Sequence, residues 1–248
     1  LAKQKGPANV MSTPSDKAQY DWSAPKLYGR RKGRPLRTSM QTLLDARLPA
    51  LTFDPARTLD TQFGRPADSF LEIGFGGGEH LAGLAAAAPD DNFIGAEPFV
   101  NGVTSLLRHI EADKLTNIRI WPDDVRLILP TLPDHILAGA YIMFPDPWPK
   151  RRHAARRILQ PEMLNHLARL IRPGGMLVMA SDDSTAKGWL LAMAMAHLAF
   201  EWTAKRPEDW RQRPAFLPET RYMKKGDRAG RRSSWFLFRR VGDSCQSG

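Results

Sequence analysis

Short apolar runs alternate with longer amphipathic stretches along residues 69–240, and this alternation predicts the order of elements. Residues 70–73, apolar apart from Glu72, have strand length. A helical stretch follows at 78–88, with Pro89 just beyond its end. A second strand at 92–97 leads into a helix at 100–112. A third strand at 117–121 leads into a short helix at 124–129, stopped by Pro130. The fourth strand is 139–144. A helix over 161–171 starts on Pro161, where a missing amide costs least. After a turn at 172–175 come a fifth strand at 176–181 and a helix at 184–198. Two last strands, 200–204 and 235–239, are expected to pair antiparallel. Upstream, Met40, Leu43, Leu44 and Leu48 have helical spacing and predict an amphipathic helix over 39–51. Residues 1–22 are polar and aperiodic and read as a disordered tail.

Strands and helices in alternation, joined by short connections, give an α/β chain. The expected fold is a mostly parallel sheet with helices on both faces, of the Rossmann-like kind. Its organisation is read as a tail over 1–25, one domain over 26–240 that begins with a basic arm, and a polar tail over 241–248. Ligands bind such sheets at the carboxyl ends of the strands. Glu72, Glu97, Asp123, Asp146 and Asp182 all fall there.

The segment after the fourth strand reads Phe144-Pro145-Asp146-Pro147-Trp148-Pro149-Lys150-Arg151-Arg152-His153. Its prolines forbid both helix and sheet pairing, so Asp146 stands on a stiff, extended tip. An indole lies beside it and cations lie behind it. A carboxylate can read a base edge, an aromatic face can stack on a base, and cations can hold phosphates. Charge adds to this picture. Lysine and arginine exceed acidic residues 36 to 26, a net +10, which suggests a polyanionic partner. The cations form three sets, at 26–37, 150–157 and 205–240. The single Cys245 excludes a disulfide framework and a cysteine-rich metal site. No His or Cys pair has metal-ligand spacing, so no metal is expected. No stretch approaches membrane-spanning length, and a cytoplasmic protein is expected.

The connection from first strand to first helix carries Glu72-Ile73-Gly74-Phe75-Gly76-Gly77-Gly78-Glu79. Glycines allow a tight turn and close approach of a ligand to the backbone. A dinucleotide fingerprint needs a third glycine at position 79, where Glu79 stands. Glu72 would repel a pyrophosphate and suits a ligand with an ammonium group. S-adenosyl-L-methionine has one, together with an adenosine. Glu97 can accept both ribose hydroxyl protons, and one carboxylate of Asp123-Asp124 can accept the adenine amino group.

These residues, with the segment at 144–153, resemble the bacterial tRNA (guanine-N7-)-methyltransferase family. The matching pieces are residues 71–80, 95–99 and 144–150, Arg152-His153 with Arg156-Arg157, and residues 209–214 and 220–222. They run in family order over nearly the whole chain. The glycine loop is generic to methyltransferases, whereas the F-P-D-P-W-x-K-x-R-H and T-R-Y strings are specific to this family. The resemblance implies a class I methyltransferase fold with a seven-stranded sheet. It also implies methyl transfer from S-adenosyl-L-methionine to N7 of guanine 46 in the tRNA variable loop. The cofactor residues it implies are Glu72, Glu97, Asp123 and Asp146, with the turn of Gly74, Gly76 and Gly78. Asp123 is preferred to Asp124 by its position relative to Asp146. Lys150, Asp182, Thr220, Arg221 and Tyr222 are implied on the substrate side. Arg152, His153, Arg156 and Arg157 are implied as RNA contacts. No obligate protein partner is implied, and a monomer or homodimer is expected.

This chain departs from the family pattern at three places. Met223 stands where a glutamate is usual, and Glu219 is a candidate substitute. Asp183-Ser184 follows Asp182 in place of an aromatic, and Ala155 replaces a common lysine. The chemistry expected is simple. N7 of guanine is a lone pair, so its attack on a sulfonium methyl needs no strong base, and placement dominates. Asp146 is the expected catalytic group, accepting hydrogen bonds from the guanine and favouring the new positive charge. Two rivals stand beside this reading. One is an amino-group methyltransferase on RNA, the other an RNA-binding protein of the same fold with weakened catalysis.

Overall fold

The computed structural model of the chain describes residues 27–242. The expected N-terminal tail, most of the C-terminal tail and Cys245 lie outside the described residues. Helix α1 (Thr38–Leu51) and the short α2 (Leu59–Phe63) precede the sheet. Then follow β1 (Ser69–Ile73), α3 (Glu79–Ala87), β2 (Asn92–Ala96), α4 (Val100–Asp113), β3 (Ile118–Trp121) and β4 (Leu137–Met143). The second half holds α5 (Pro161–Leu170), β5 (Ile171–Ser181), α6 (Ser184–Met195), β6 (Phe200–Trp202), α7 (Glu208–Arg211), α8 (Arg221–Arg228) and β7 (Ser234–Arg240).

The seven strands form one sheet in the order β3-β2-β1-β4-β5-β7-β6. The first five pair in parallel, and β7 runs antiparallel to both β5 and β6. The expected antiparallel pair is therefore present. Every residue of β4 is buried, as a central parallel strand requires. Alternate residues feed two cores. Leu71, Ile73, Ala140, Ile142, Leu177 and Met179 face one core, closed by Leu164 and Leu167 of α5 and Leu190 of α6. Phe70, Tyr141, Met143, Val178 and Ala180 face the other, closed by Leu81 and Leu84 of α3 and Val103, Leu106 and Leu107 of α4. Each leucine, isoleucine, valine or methionine among them contributes about 1.5–3 kcal/mol when fully buried. The parallel edge at β3 is partly covered, because Phe53 donates its amide to the Ile120 carbonyl at 2.8 Å.

Two expectations about local structure differ from what is observed, and three short helices were not expected. The short helix at 124–129 is two 3-10 turns, Val125–Leu127 and Leu129–Thr131. Pro130, without an amide, prevents a continuous α-helix there. The turn at 172–175 is drawn into β5, with a register shift opposite Leu137 and Gly139. Helices α2, α7 and α8 carry too few apolar positions to show a period, and α8 buries only Met223 and Gly226.

The order of strands reverses between β1 and β4. Such a switch point opens a crevice at the carboxyl ends, where the two connections leave in opposite directions. The glycine connection leaves β1 and the proline-rich connection leaves β4, so the two segments that stand out in the sequence flank one crevice.

Candidate active site

The glycine turn is built by left-handed backbone at alternate positions. Gly74, Gly76 and Gly78 have φ of 71°, 55° and 79°, which only glycine adopts without strain. A Cβ at Gly74 or Gly76 would meet nothing within 4 Å, so both face open space. A Cβ at Gly78 would stand 2.9 Å from the Leu106 Cα. The first two glycines leave room for a ligand and the third seats α3 against α4.

The open space is a cavity of about 320 Å³ at the switch point, within the range of small-molecule sites. Ile73, Gly74 and Gly76 form one wall, with Ala96, Glu97 and Pro98 beside them. Glu97 is 8% exposed. Its Oε2 accepts from the Gly76 amide at 2.8 Å and its Oε1 from the Phe99 amide at 3.0 Å. Each oxygen keeps one lone pair for a ligand hydroxyl. Burial raises the Glu97 pKa, the two amides oppose this, and nearby Asp146 and Glu72 add to the rise. Glu72 is 1% exposed and is not on the cavity wall. It lies on the face of β1 opposite Ile73, where its Oε2 is 2.8 Å from His80 Nδ1. His80 Nε2 is buried without a hydrogen-bond partner.

After β3 the two adjacent acids diverge. Asp123 caps the Asp124 amide at 2.7 Å and pairs with Arg31 at 2.7 Å. Asp124 belongs to the cavity lining but is buried, and both its carboxylate oxygens are held by Arg126, whose Nε donates to Oδ1 at 2.9 Å and to Oδ2 at 3.1 Å. The basic arm covers this side. Val100 donates to the Arg31 carbonyl at 3.0 Å, and Asn101 is bonded to the Gly33 amide and the Arg34 carbonyl at 2.9 Å each. Leu27, Tyr28 and Gly29 thereby become part of the cavity lining.

The opposite wall is the connection after β4. It is not uniformly extended, because Phe144 and Trp148 adopt φ of 51° and 41°. Each left-handed residue costs on the order of 1–3 kcal/mol, so the surroundings must hold both. Phe144 donates its amide to Ala180 at 2.8 Å, and its ring packs against Tyr222 and Trp235 at 5.0 and 5.8 Å. Trp148 is met on its carbonyl by Arg157 Nη2 at 3.0 Å. The Arg156 guanidinium lies 5.1 Å from both the Trp148 and Tyr28 ring centres, joining arm and loop. Asp146, between the two turns, lines the cavity.

Beyond Phe144 lies a polar group from β5 and α8. Asp182 accepts from the Tyr222 hydroxyl at 3.1 Å and is 2.7 Å from Arg231 Nε. Burial and the Asp182 carboxylate raise the Tyr222 pKa. Thr220 caps α8, its Oγ1 accepting from the Met223 amide at 3.3 Å. Arg221 is bound to Glu79, which accepts from its amide at 2.8 Å and from its guanidinium. Met223 is 4% exposed and packs in the core beside Leu217 and Trp235. Glu219 pairs with Lys224 at 3.1 Å. Met223 thus fills a packing position, and the carboxylate at the start of α8 is Glu79.

The cations after the loop form a 3-10 stretch, Arg151–Arg156. Lys150, Arg151 and Arg152 are exposed at its start. His153 packs edge-on to Trp148 at 5.9 Å, and desolvation and the nearby cations lower its pKa. Of the residues expected from sequence, Gly74, Gly76, Glu97 and Asp146 meet around the cavity, and Gly78 packs against α4 behind it. Asp182, Thr220 and Tyr222 gather beside Phe144, while Glu72 lies behind the turn and Asp123 outside the wall. Sequence reasoning missed Tyr28 and the Glu79–Arg221 pair, and it preferred Asp123 to Asp124. An aromatic inside a basic arm is the one signal that points to Tyr28.

Comparison with known proteins bears on what this arrangement does. A family model described as "Putative methyltransferase" matches residues 66–235. The chain is similar to the tRNA (guanine-N(7)-)-methyltransferase of Rhodospirillum rubrum, 52% identical over 87% of this chain and 88% of that protein. It is 44% identical to the protein of that name from Rhizobium meliloti, over 86% of this chain and 94% of the other. The fold is similar to that of the 16S rRNA methyltransferase KamB, with a TM-score of 0.52 and 16% identity over 75% of this chain and 95% of that one.

Proposed function

We propose that this chain, which belongs to the tRNA (guanine-N(7)-)-methyltransferase family, methylates guanine 46 of the tRNA variable loop through the cavity between β1 and β4. It transfers a methyl group from S-adenosyl-L-methionine to N7 of a guanine in tRNA. The observation that carries the site assignment is the meeting of the glycine turn and the Asp146 loop at the switch point.

The residues present fit a nucleoside-bearing methyl donor. A Cβ at Gly74 or Gly76 would enter the open cavity. Glu97 offers two carboxylate lone pairs at the end of β2, suited to a ribose diol. At the end of β3 we assign the adenine amino group to the Asp123-Asp124 pair, in which Asp124 belongs to the cavity lining with its carboxylate held by Arg126, while Asp123 is the more exposed of the two and pairs with Arg31. Glu72 supports the turn from behind and contributes negative charge. When bound, S-adenosyl-L-methionine supplies an electrophilic sulfonium methyl group.

The chain then has to place the base. Asp146 accepts hydrogen bonds from the guanine N1–H and amino group, and its charge favours the cation formed at N7. No proton leaves N7, so no general base is assigned. Asp182 and Tyr222, held through Phe144 and Thr220, shape the far side of the guanine position. Lys150, Arg152, His153 and Arg156 lie on the approach to the cavity and hold the RNA backbone. Arg221, tied to Glu79, closes the start of α8 onto the glycine turn. Among the described residues no helix is long and apolar enough to cross a membrane. We place the reaction in the cytoplasm, carried out by a monomer or homodimer without an obligate protein partner.

A tRNA carrying 7-deazaguanine at position 46 tests the proposal. Loss of methylation at that site is the expected result. Retained methylation means an amino-group target.

A further inference from the structure

We infer that Arg157 is a positioning residue that pins the 144–149 loop, and Asp146 with it, and is not one of the cations that hold RNA phosphates. The inference rests on the reading of Asp146 given above. In the sequence Arg157 is the last of a basic run and looks like its neighbours. The structure sets it apart. Its Nε donates to the Pro147 carbonyl at 3.2 Å and its Nη2 to the Trp148 carbonyl at 3.0 Å. Its guanidinium lies 4.5 Å from the centre of the Trp189 ring. Trp189 is itself fixed, donating Nε1 to the Leu159 carbonyl at 2.7 Å. The forked edge and one face of Arg157 are therefore committed to protein, and burial lowers its pKa.

What Arg157 holds is the strained part of the loop. Asp146 lies midway between two left-handed residues, Phe144 and Trp148. The Phe144 turn is fixed by the sheet amide and the aromatic pair already described. The carbonyl of the Trp148 turn is fixed by Arg157. Behind the loop is a small crevice lined by Asp146, Pro147, Arg157 and Trp189, so the loop rests on this arginine and tryptophan. A lysine keeps the charge but cannot fork onto two carbonyls while stacking on an indole. Arg157→Lys therefore releases the Trp148 turn and lets Asp146 shift. Asp146 must be placed accurately, so the rate suffers more than RNA affinity does.

The test compares Arg157→Lys and Arg157→Gln with Arg152→Gln in the full chain. Methyl transfer to tRNA is followed in single turnovers and at steady state across a salt series. Melting temperature and binding of S-adenosylhomocysteine serve as fold controls. Arg157→Lys is expected to lower the saturated single-turnover rate about 10-fold or more. Arg157→Lys and Arg157→Gln should leave the KM for tRNA within about two-fold and the salt slope unaltered. Arg152→Gln should raise KM and reduce the slope by roughly 0.7–0.9. A raised KM and a reduced slope for Arg157→Gln, with the saturated rate kept, would overturn the inference. If Arg157→Lys does not fold, Trp189→Phe decides by the same two readouts. Its saturated rate should fall with the slope unchanged, and an unaltered rate counts against the inference. Hydrogen exchange at the Asp146, Trp148 and Lys150 amides, in RNA-free protein, reads the loop without catalysis. It should rise in Arg157→Lys and not in Arg152→Gln, and no rise would refute the pinning whether or not the parent protein methylates tRNA.

Discussion

Gly102→Ala probes the contact that sets the glycine turn. Gly102 lies on α4, where the helix passes against the turn. An added Cβ would fall on the Gly76 carbonyl oxygen, 3.1 Å from its carbonyl carbon and 3.4 Å from Glu97 Cγ. Leu106, Leu107 and Ile110 of α4 are almost wholly buried and anchor the helix in the core, so the turn yields and the helix does not. The Gly76 amide then leaves Glu97 Oε2, which it now reaches at 2.8 Å. A hydrogen bond to a charged group contributes about 1.5–3 kcal/mol. The expected loss of S-adenosylhomocysteine affinity is therefore roughly 10- to 100-fold. Alanine also favours the helix by about 1 kcal/mol, so the melting temperature should move far less than the affinity. Calorimetric titration with parallel thermal melts separates the two. Gly188→Ala in α6 is the control, since its Cβ would meet nothing within 4 Å, and it should bind normally. Binding by Gly102→Ala within two-fold of the parent would refute the reasoning.

Three further outcomes follow from the same geometry. The Glu97 pKa is raised from its usual 4.5, first by burial, so its protonated form appears at higher pH than for a free glutamate. Cofactor affinity should accordingly fall as pH drops through a value above 4.5, and Glu97→Gln should bind weakly without that inflection; titrations from pH 4.5 to 8 check both. Asp146→Asn removes the charge that favours the product cation, and its saturated single-turnover rate should fall on the order of 100-fold; full turnover would remove Asp146 from the catalytic role. Tyr28→Ala breaks the link between arm and loop through Arg156, and should raise the KM for S-adenosyl-L-methionine several-fold with little change in melting temperature.

Much of this arrangement can be read in the sequence, and the exceptions have physical causes. The strands are legible because most are short, largely apolar stretches, as in β2 and β4. Their acids are legible because parallel strands all end at one rim. Position relative to Asp146 favours Asp123 over Asp124, but spacing does not show the partners of the two carboxylates, Arg31 for Asp123 and Arg126 for Asp124 at the cap of Val125–Leu127. Met223 looked like a defect in a recognition motif. It is a core residue on the buried side of α8, and the carboxylate at that helix start comes from Glu79, 142 residues away. The run at 150–157 could not be divided by charge alone. Only the fold shows Arg157 turned inward to carbonyls while Arg152 stays at the surface.

The most direct test of the whole account is to incubate the purified protein with isotopically labelled S-adenosyl-L-methionine and bulk tRNA, then map the labelled nucleotide by nuclease digestion and mass spectrometry. The account predicts label on 7-methylguanosine at position 46 of the variable loop. Label on another position or on an exocyclic amine, or tRNA that acquires no label, would contradict it.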